Sequence, residues 1–137
     1  MSVRFAAYAF DYDGTITDVE RPSPEILATL RACRAGGRRL VLVTGRILAE
    51  LRQVFPRLED EFDAIVAENG AVLLDADGER DLAPGIDPAL AHALAHREVP
   101  LRSGRVVLAC DACYAATALE EAPGSGSTAS WCATVGR

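Results

Sequence analysis

Three short apolar runs stand out in the first half of the chain. They are VRFAAYAF (3–10), RLVLV (39–43) and AIVA (64–67), and each of them stops abruptly at a polar residue. Nearly continuous apolar runs of this length are typical of parallel strands that are covered on both faces of a sheet. The pattern therefore predicts three buried strands, with room for a helix between each pair.

Two amphipathic segments separate these strands. Ser23 is a favourable N-cap with Pro24 at the first helical position, and Gly36-Gly37 ends the helix. Apolar residues recur at helical spacing again over residues 47–55, just before a proline. The order strand, helix, strand, helix, strand predicts the α/β fold class, with a doubly wound, parallel, Rossmann-like half-sheet.

The pattern changes after the third strand. A turn leads into a fourth strand at residues 71–74, and Asp77-Gly78 predicts a hairpin turn. Farther on, a helix capped by Asp87, a strand over residues 104–110 and a helix over residues 114–122 predict a second, incomplete unit. The expected division of the chain is 1–81, 82–121 and a tail at 122–137.

Composition narrows the class of protein and its compartment. Half of the residues are apolar and the formal net charge is −6, which argues against disorder and against nucleic acid or an anionic membrane as the main partner. All 14 basic residues are arginine. No apolar run reaches membrane-spanning length, and the N-terminus meets charge too early for a signal peptide. We therefore expect a cytoplasmic protein whose four cysteines are thiols.

The candidate chemistry begins where the first strand ends, in FDYDGTITD. Asp11 follows the strand directly and Asp13 lies two residues on. Ligands of open α/β sheets bind beyond the carboxyl ends of the strands, and two carboxylates there suit Mg²⁺ with a phosphate. Gly14 allows a sharp turn whose neighbouring N–H groups can face anionic oxygens, and Thr15 adds a hydroxyl donor.

The second strand ends in a similar way, in LVTGR. Thr44 offers a hydroxyl group and Gly45 allows a close backbone approach. Because parallel strands end at the same edge of a sheet, we expect both loops to converge on one phosphate-sized site.

Three segments in this order, DYDGT, VLVTGR and AENGAVL, resemble the haloacid dehalogenase superfamily. The AENGAVL segment points to its sugar-phosphatase-like branch, in which an α/β cap is inserted after the third core strand. The resemblance covers residues 5 to about 121. It implies a Mg²⁺-dependent phosphohydrolase that acts on a small phosphorylated metabolite, such as a sugar phosphate.

The resemblance also implies roles for individual residues. Asp11 would be the nucleophile, which forms an aspartyl-phosphate, and Asp13 would be the general acid and base. Both would be metal ligands, Asp13 through its backbone carbonyl. Thr44 would hold the phosphoryl oxygens, and the remaining phosphate-binding residues would be Gly14, Thr15 and Gly45.

Two elements that the resemblance requires are missing from the sequence. One is a Lys, or sometimes an Arg, after the cap, and the other is a carboxylate pair after a later strand. The chain has no lysine, and no Asp follows Asp111. We therefore expect an N-terminal fragment of this family, with little phosphatase turnover of its own.

The tail, APGSGSTASWCATVGR, shows no apolar periodicity. Back-translated and read one frame over, it yields recurring apolar codons, including a Val across Trp131-Cys132. We expect the tail to be out of frame, and a Gly/Ser-rich linker is the alternative.

Two other functions stay open at this stage. One is a non-catalytic α/β module that holds Mg²⁺ or phosphate without turnover. The other is a thiol-redox or zinc protein built on CDAC, although ordinary thiols and surface histidines are the favoured interpretation. The residues of such a zinc site would be Cys110, Cys113, His92 and His96.

Three further features receive structural interpretations. LLDADG (73–78) resembles the first acidic motif, but it lacks the following Thr and fits a hairpin turn. Arg46 is expected to be a solvated residue at a helix start. Glu68 and Asn69 are expected to shape the turn after the third strand.

Overall fold

The computed structural model describes residues 5–122 and contains a five-stranded sheet in the order β1-β2-β3-β4-β5. The strands are β1 (Ala7–Asp11), β2 (Arg39–Val43), β3 (Ala64–Ala67), β4 (Val72–Asp75) and β5 (Gly78–Asp81). The first three strands are parallel, and β4 and β5 continue the sheet as an antiparallel hairpin. The predicted Rossmann-like α/β fold is confirmed, and β2 and β3 have the predicted bounds.

Helices occupy the predicted segments, with one addition. They are α1 (Pro24–Ala35), α2 (Leu48–Val54), α3 (Leu58–Glu61), α4 (Pro88–His96) and α5 (Ala115–Glu121). The predicted caps are present, because Ser23 accepts a hydrogen bond from the Ile26 N–H and Asp87 accepts one from the Ala89 N–H. The single turn of α3 was not predicted. Within the described range, every helix is too short or too polar to cross a bilayer.

The main core joins the sheet to the first three helices. Its fully buried leucines come from β2, α2 and α3, and isoleucine and valine side chains of β3 and β4 pack with them. These residues are Leu40, Leu42, Leu48, Leu51, Leu58, Ile65 and Val72. Val106, far along the chain, belongs to the same cluster, so the second unit contributes to the first core.

The first strand is less buried than predicted. β1 lies at the edge of the sheet, with β2 as its neighbour, and its residues alternate between exposed and half-buried. The expectation that this strand is covered on both faces is therefore wrong for the described residues. A strand with one neighbour keeps one row of backbone groups outside the sheet, which is a template for pairing.

The second unit corrects one predicted element. In place of one strand over residues 104–110, the chain forms a hairpin of β6 (Arg102–Ser103) and β7 (Leu108–Ala109). The Gly104 N–H donates to the Val107 carbonyl at 2.9 Å and closes the turn between them. Helices α4 and α5 pack together through Leu90, Leu94 and Ala118. The boundary at residue 82 stays a prediction, and the proposed out-of-frame tail lies outside the described residues from 123 onward.

Candidate active site

Two polar loops meet where β1 and β2 end. In the parallel register Asp11 lies opposite Val43, so that Thr44 is the next residue along on the neighbouring strand. Asp11 and Asp13 are both exposed. The expected convergence of the two loops is present, and a direct contact between their side chains, described below, joins them.

The first loop is held by its own backbone. Gly14 has a φ of +76°, which favours glycine, and its N–H donates to the Thr17 carbonyl at 2.8 Å. The Tyr12 carbonyl accepts from the Ile16 and Thr17 N–H groups at 3.0 and 3.1 Å. The Gly14 N–H, which was expected to face an anion, therefore bonds within the loop. This arrangement leaves the side chains of Asp11 and Asp13 directed outward.

Tyr12 anchors the loop between the two aspartates. Its side chain is fully buried, and its hydroxyl donates to the Glu20 carbonyl at 2.6 Å. Burial raises the pKa of this hydroxyl, so that it stays protonated as a donor. The buried Tyr12 therefore lies between two exposed carboxylates, those of Asp11 and Asp13.

The second loop is packed more tightly than the first. Thr44 is only 3% exposed, and its Oγ1 accepts a hydrogen bond from the Arg46 N–H at 3.1 Å. A Cβ added to Gly45 would lie 2.7 Å from Asn69 Oδ1. The close approach expected at Gly45 is therefore present, but in this structure the group that approaches is the Asn69 side chain.

Arg46 joins the two loops. Its Nη2 lies 2.6 Å from Asp13 Oδ1, and its Nε lies 3.1 Å from both carboxylate oxygens. The guanidinium carbon also lies 5.1 Å from the centroid of the Tyr12 ring. The hydrogen bond to Asp13 raises the pKa of Arg46, which stays charged.

The prediction that Arg46 is merely solvated is wrong. Its partner lies 33 residues away in sequence, on the loop after the neighbouring strand. The sequence contained a signal for this contact. The residue after Thr44-Gly45 follows the end of β2, so its backbone lies near the end of the neighbouring strand β1. The Arg side chain is long enough to reach a carboxylate there.

The turn after β3 is hydrogen-bonded to the second loop and keeps it in place. Glu68, Asn69 and Gly70 have φ values of 54°, 58° and 92°. For the two residues that are not glycine, such a backbone costs about 1–3 kcal/mol each. The Glu68 N–H donates to the Arg46 carbonyl at 3.1 Å and the Asn69 N–H to the Thr44 carbonyl at 3.3 Å. These two residues shape the turn, as predicted, and they also fix the loop that carries Thr44 and Arg46.

The carboxylates at this site are the type of ligand that a hard cation prefers, but there are few of them. Exposed carboxylate oxygens are the ligands that Mg²⁺ prefers, and Asp11 and Asp13 supply them at one edge of the sheet. Residues 5–122 contain no group of three His, Cys, Asp or Glu side chains arranged to hold a metal. A cation here would keep several waters.

The alternative zinc site is not assembled. His92 and His96 contact each other, with their Nε2 atoms 3.0 Å apart, on the exposed side of α4. Cys110 instead packs against the apolar cluster between α4 and α5, and burial raises the pKa of its thiol. No three of these groups converge within the described range. A half-buried thiol with a raised pKa is also a poor redox nucleophile.

Comparisons with known proteins agree with this architecture. A family model described as haloacid dehalogenase-like hydrolase matches residues 8–97. No curated protein matches the chain closely enough to count as a relative.

Several solved structures share the fold. A sugar phosphatase of HAD subclass IIB is 21% identical over 78% of this chain, with a TM-score of 0.54. A haloacid dehalogenase-like hydrolase from B. subtilis is 24% identical over 77%, also with a TM-score of 0.54. A Thermoplasma acidophilum protein is 17% identical over 84%, with a TM-score of 0.59. The chain spans 44%, 39% and 55% of the lengths of these three structures.

Proposed function

The chain belongs to the haloacid dehalogenase-like hydrolases, and from this premise we propose that its site serves Mg²⁺-dependent hydrolysis of small phosphate monoesters, such as sugar phosphates. The observation that carries the proposal is the placement of Asp11 opposite Val43, one residue before Thr44, at the carboxyl ends of two neighbouring parallel strands. The negative net charge and the open edge of the sheet fit a small phosphorylated metabolite better than nucleic acid.

Asp11 is the proposed nucleophile. One of its carboxylate oxygens attacks the phosphorus, the bond to the ester oxygen breaks, and the leaving oxygen takes a proton from the carboxylic acid of Asp13. In the second step Asp13 accepts a proton from water, the water oxygen attacks the phosphorus, and the bond to Asp11 breaks. Inorganic phosphate leaves, and both aspartates return to their starting forms.

Phosphate contacts in this proposal come from both loops. The Thr44 hydroxyl, which already accepts from the Arg46 N–H, keeps its own hydrogen for a phosphoryl oxygen. Gly14 and Thr15 border the same edge, and Thr15 is exposed. Gly45 contributes by making room for Asn69, which keeps the loop in place.

Arg46 is proposed as the residue that positions Asp13. Its planar guanidinium meets both carboxylate oxygens, which fixes the orientation of Asp13 relative to Asp11. Proton transfer requires one Asp13 oxygen to carry the proton and to face the substrate, so the Arg46 contact to that oxygen must open before the step. An incoming phosphate is a competing anion for the same guanidinium.

Mg²⁺ would be held by Asp11 and by the Asp13 backbone carbonyl, with water in the remaining positions. When bound, the ion would neutralise charge on the phosphate and on Asp11. Because the protein ligands are few, we propose weak Mg²⁺ binding and slow turnover for residues 1–137 alone.

The test is a phosphatase assay on a panel of phosphate monoesters, with Mg²⁺ or EDTA. It compares residues 1–137 with a longer chain, in which the proposed frameshift at the start of the tail (122–137) is repaired. We expect Mg²⁺-dependent turnover from the longer chain and at least about 10²-fold less from residues 1–137, because residues 1–137 contain no lysine and no Asp after Asp111.

Comparable kcat in the two chains would overturn the proposed dependence on a missing part. A folded longer chain that binds inorganic phosphate without hydrolysing any ester would instead favour a non-catalytic binding module. An intact stop codon with no open frame beyond it would refute the proposed frameshift.

A further inference from the structure

Glu68 has an environment that its place at the end of β3 does not require. It is 1% exposed, and its carboxylate accepts hydrogen bonds from three consecutive backbone N–H groups. These come from Arg105 at 3.1 Å, Val106 at 2.9 Å and Val107 at 3.2 Å. A buried carboxylate needs such partners, and successive N–H groups that share one anion form a fixed cradle. The donors all lie in the turn of the β6–β7 hairpin (residues 102–109).

The backbone of Glu68 is hydrogen-bonded to the loop of the candidate active site that carries Arg46. The Glu68 N–H donates to the Arg46 carbonyl at 3.1 Å, and Arg46 in turn binds the Asp13 carboxylate. The φ of Glu68 is +54°, a conformation that side chains other than glycine rarely adopt. This backbone angle lets one residue bond to the site through its main chain and to the hairpin through its side chain.

Packing in the hairpin restricts the carboxylate further. A Cβ added to Gly104 would overlap the Glu68 carboxylate, and the backbone of Gly104 does not have a positive φ. An alanine here would therefore displace the carboxylate because of its size, and not because of its backbone conformation. Val107 packs with Ile47 in a small buried cluster, and Ile47 directly follows Arg46. The hairpin is thus connected to the second loop in two ways, by the hydrogen bonds of Glu68 and by the apolar contact between Val107 and Ile47.

We infer that Glu68 is a positioning residue, which couples the β6–β7 hairpin to the Arg46–Asp13 pair. The placement of the hairpin then sets the placement of the candidate acid. The catalytic meaning of this coupling rests on the proposed function, but the coupling itself does not. A merely structural Glu68 would stabilise the hairpin and leave Arg46 unaffected.

The experiment measures amide hydrogen exchange by NMR on residues 1–137, at residue resolution, in two variants. Glu68→Gln removes the charge and turns an NH₂ group toward the cradle. Gly104→Ala displaces the carboxylate from the opposite side without touching the site. The matched control is Glu61→Gln, because Glu61 is equally buried but pairs with Arg31 on α1.

In both variants we expect exchange at least about tenfold faster at residues 105–107 and at the N–H groups of Glu68 or its replacement and of Arg46. The control should change these five positions no more than it changes exchange across β2. Faster exchange in the hairpin with unchanged exchange at Arg46 would overturn the coupling. Unchanged exchange at residues 105–107 would overturn the tether itself.

A fallback variant and one further measurement keep the outcome decisive. If Glu68→Gln does not fold, Gly104→Ala alone tests the coupling, since it leaves Glu68 in place. Phosphorylation of Asp11 by acetyl phosphate is measured on the same samples. A coupled hairpin in a protein that hydrolyses phosphate esters but whose Asp11 accepts no phosphate would refute the proposed function and leave the coupling standing.

Discussion

The sequence Asp-x-Asp-Gly occurs twice in this protein, and the two copies do different things. In DYDG (11–14) the first Asp ends β1, and in DADG (75–78) the first Asp ends β4. The second copy is a hairpin turn, as predicted, in which Asp75 pairs with Gly78 across two residues. The first copy leads into a loop that contacts the end of another strand.

The direction of the neighbouring strand explains the difference. β1 is parallel to β2, so Asp11 lies beside a second loop that brings its own polar residues. β4 is antiparallel to β3, which places Asp75 opposite Ala64 at the other end of the sheet. The same four-letter pattern therefore becomes part of a site only where parallel strands end together.

The partners of the acidic side chains differ in the same way. Asp75 binds Arg80, five residues along its own hairpin, and accepts the Asp77 N–H at 2.9 Å. Asp13 binds Arg46, which is 33 residues away on the other loop. One ion pair closes a local turn, and the other joins two loops at the edge of the sheet.

The largest expected difference between the copies is chemical. Asp11→Asn should lower phosphorylation of the protein by acetyl phosphate by about 10³-fold or more, because an amide cannot form the acyl-phosphate. Asp75→Asn is the matched control and should leave the rate unchanged. Phosphorylation is followed with radiolabelled acetyl phosphate and Mg²⁺. Equal rates for Asp11→Asn and the parent chain would remove Asp11 from the mechanism.

The arginine partners should differ next. Arg46→Ala should slow phosphorylation of Asp11, or hydrolysis of the aspartyl-phosphate, by about 10²-fold, since Asp13 loses its fixed orientation. Arg46→Lys should recover only part of this, because an ammonium group cannot bind two oxygens in one plane. Arg80→Ala should have no effect on the rate. The same labelling assay, followed by a chase with unlabelled phosphate donor, measures both steps.

The glycines should differ in function but not in stability. Gly14 and Gly78 have φ values of 76° and 106°, and a Cβ would meet no atom within 4 Å at either position. Alanine at either should therefore destabilise the fold by about 1–2 kcal/mol through backbone strain alone. Only Gly14→Ala should also slow phosphorylation. Urea unfolding and the labelling assay separate the two effects.

The smallest expected effect concerns pH. Hydrogen bonds from Arg80 hold the pKa of Asp75 below its ordinary value of 3.8. A lowered pKa in the folded state gives stability that is present above this ordinary value and is lost as the pH falls through the lowered one. Arg80→Ala should return the Asp75 pKa toward 3.8 in an NMR titration. An unchanged titration would show that the pair does not persist in solution.

Local patterns predicted most of the fold, and long-range contacts account for what they missed. The strand ends at Val43 and Ala67 and the cap at Ser23 depend on neighbouring residues, and the structure has them as predicted. The prediction of one strand over residues 104–110 was wrong. The carboxylate of Glu68, which lies 36 or more residues earlier, accepts hydrogen bonds from N–H groups in the middle of this segment, and the segment therefore forms a turn. No local propensity reports such a partner.

The candidate site divides along the same line. Asp11, Asp13 and Thr44 could be placed from the strand ends, because parallel strands end at one edge. The pairing of Arg46 depends on which strands are neighbours and on the reach of one side chain, and sequence spacing does not fix either. Glu68 was assigned to the turn correctly, but the backbone N–H groups that donate to its carboxylate belong to the second unit.

The central claim is that Asp11 receives the phosphoryl group, and its location can be measured directly. Residues 1–137 are incubated with acetyl phosphate and Mg²⁺, reduced with sodium borohydride, digested and analysed by tandem mass spectrometry. An aspartyl-phosphate is reduced to homoserine, whereas a free carboxylate is not. The account predicts homoserine at position 11, and at neither position 13 nor position 75. Reduction at position 13, or no reduction at position 11 in a chain that hydrolyses phosphate esters, would contradict it.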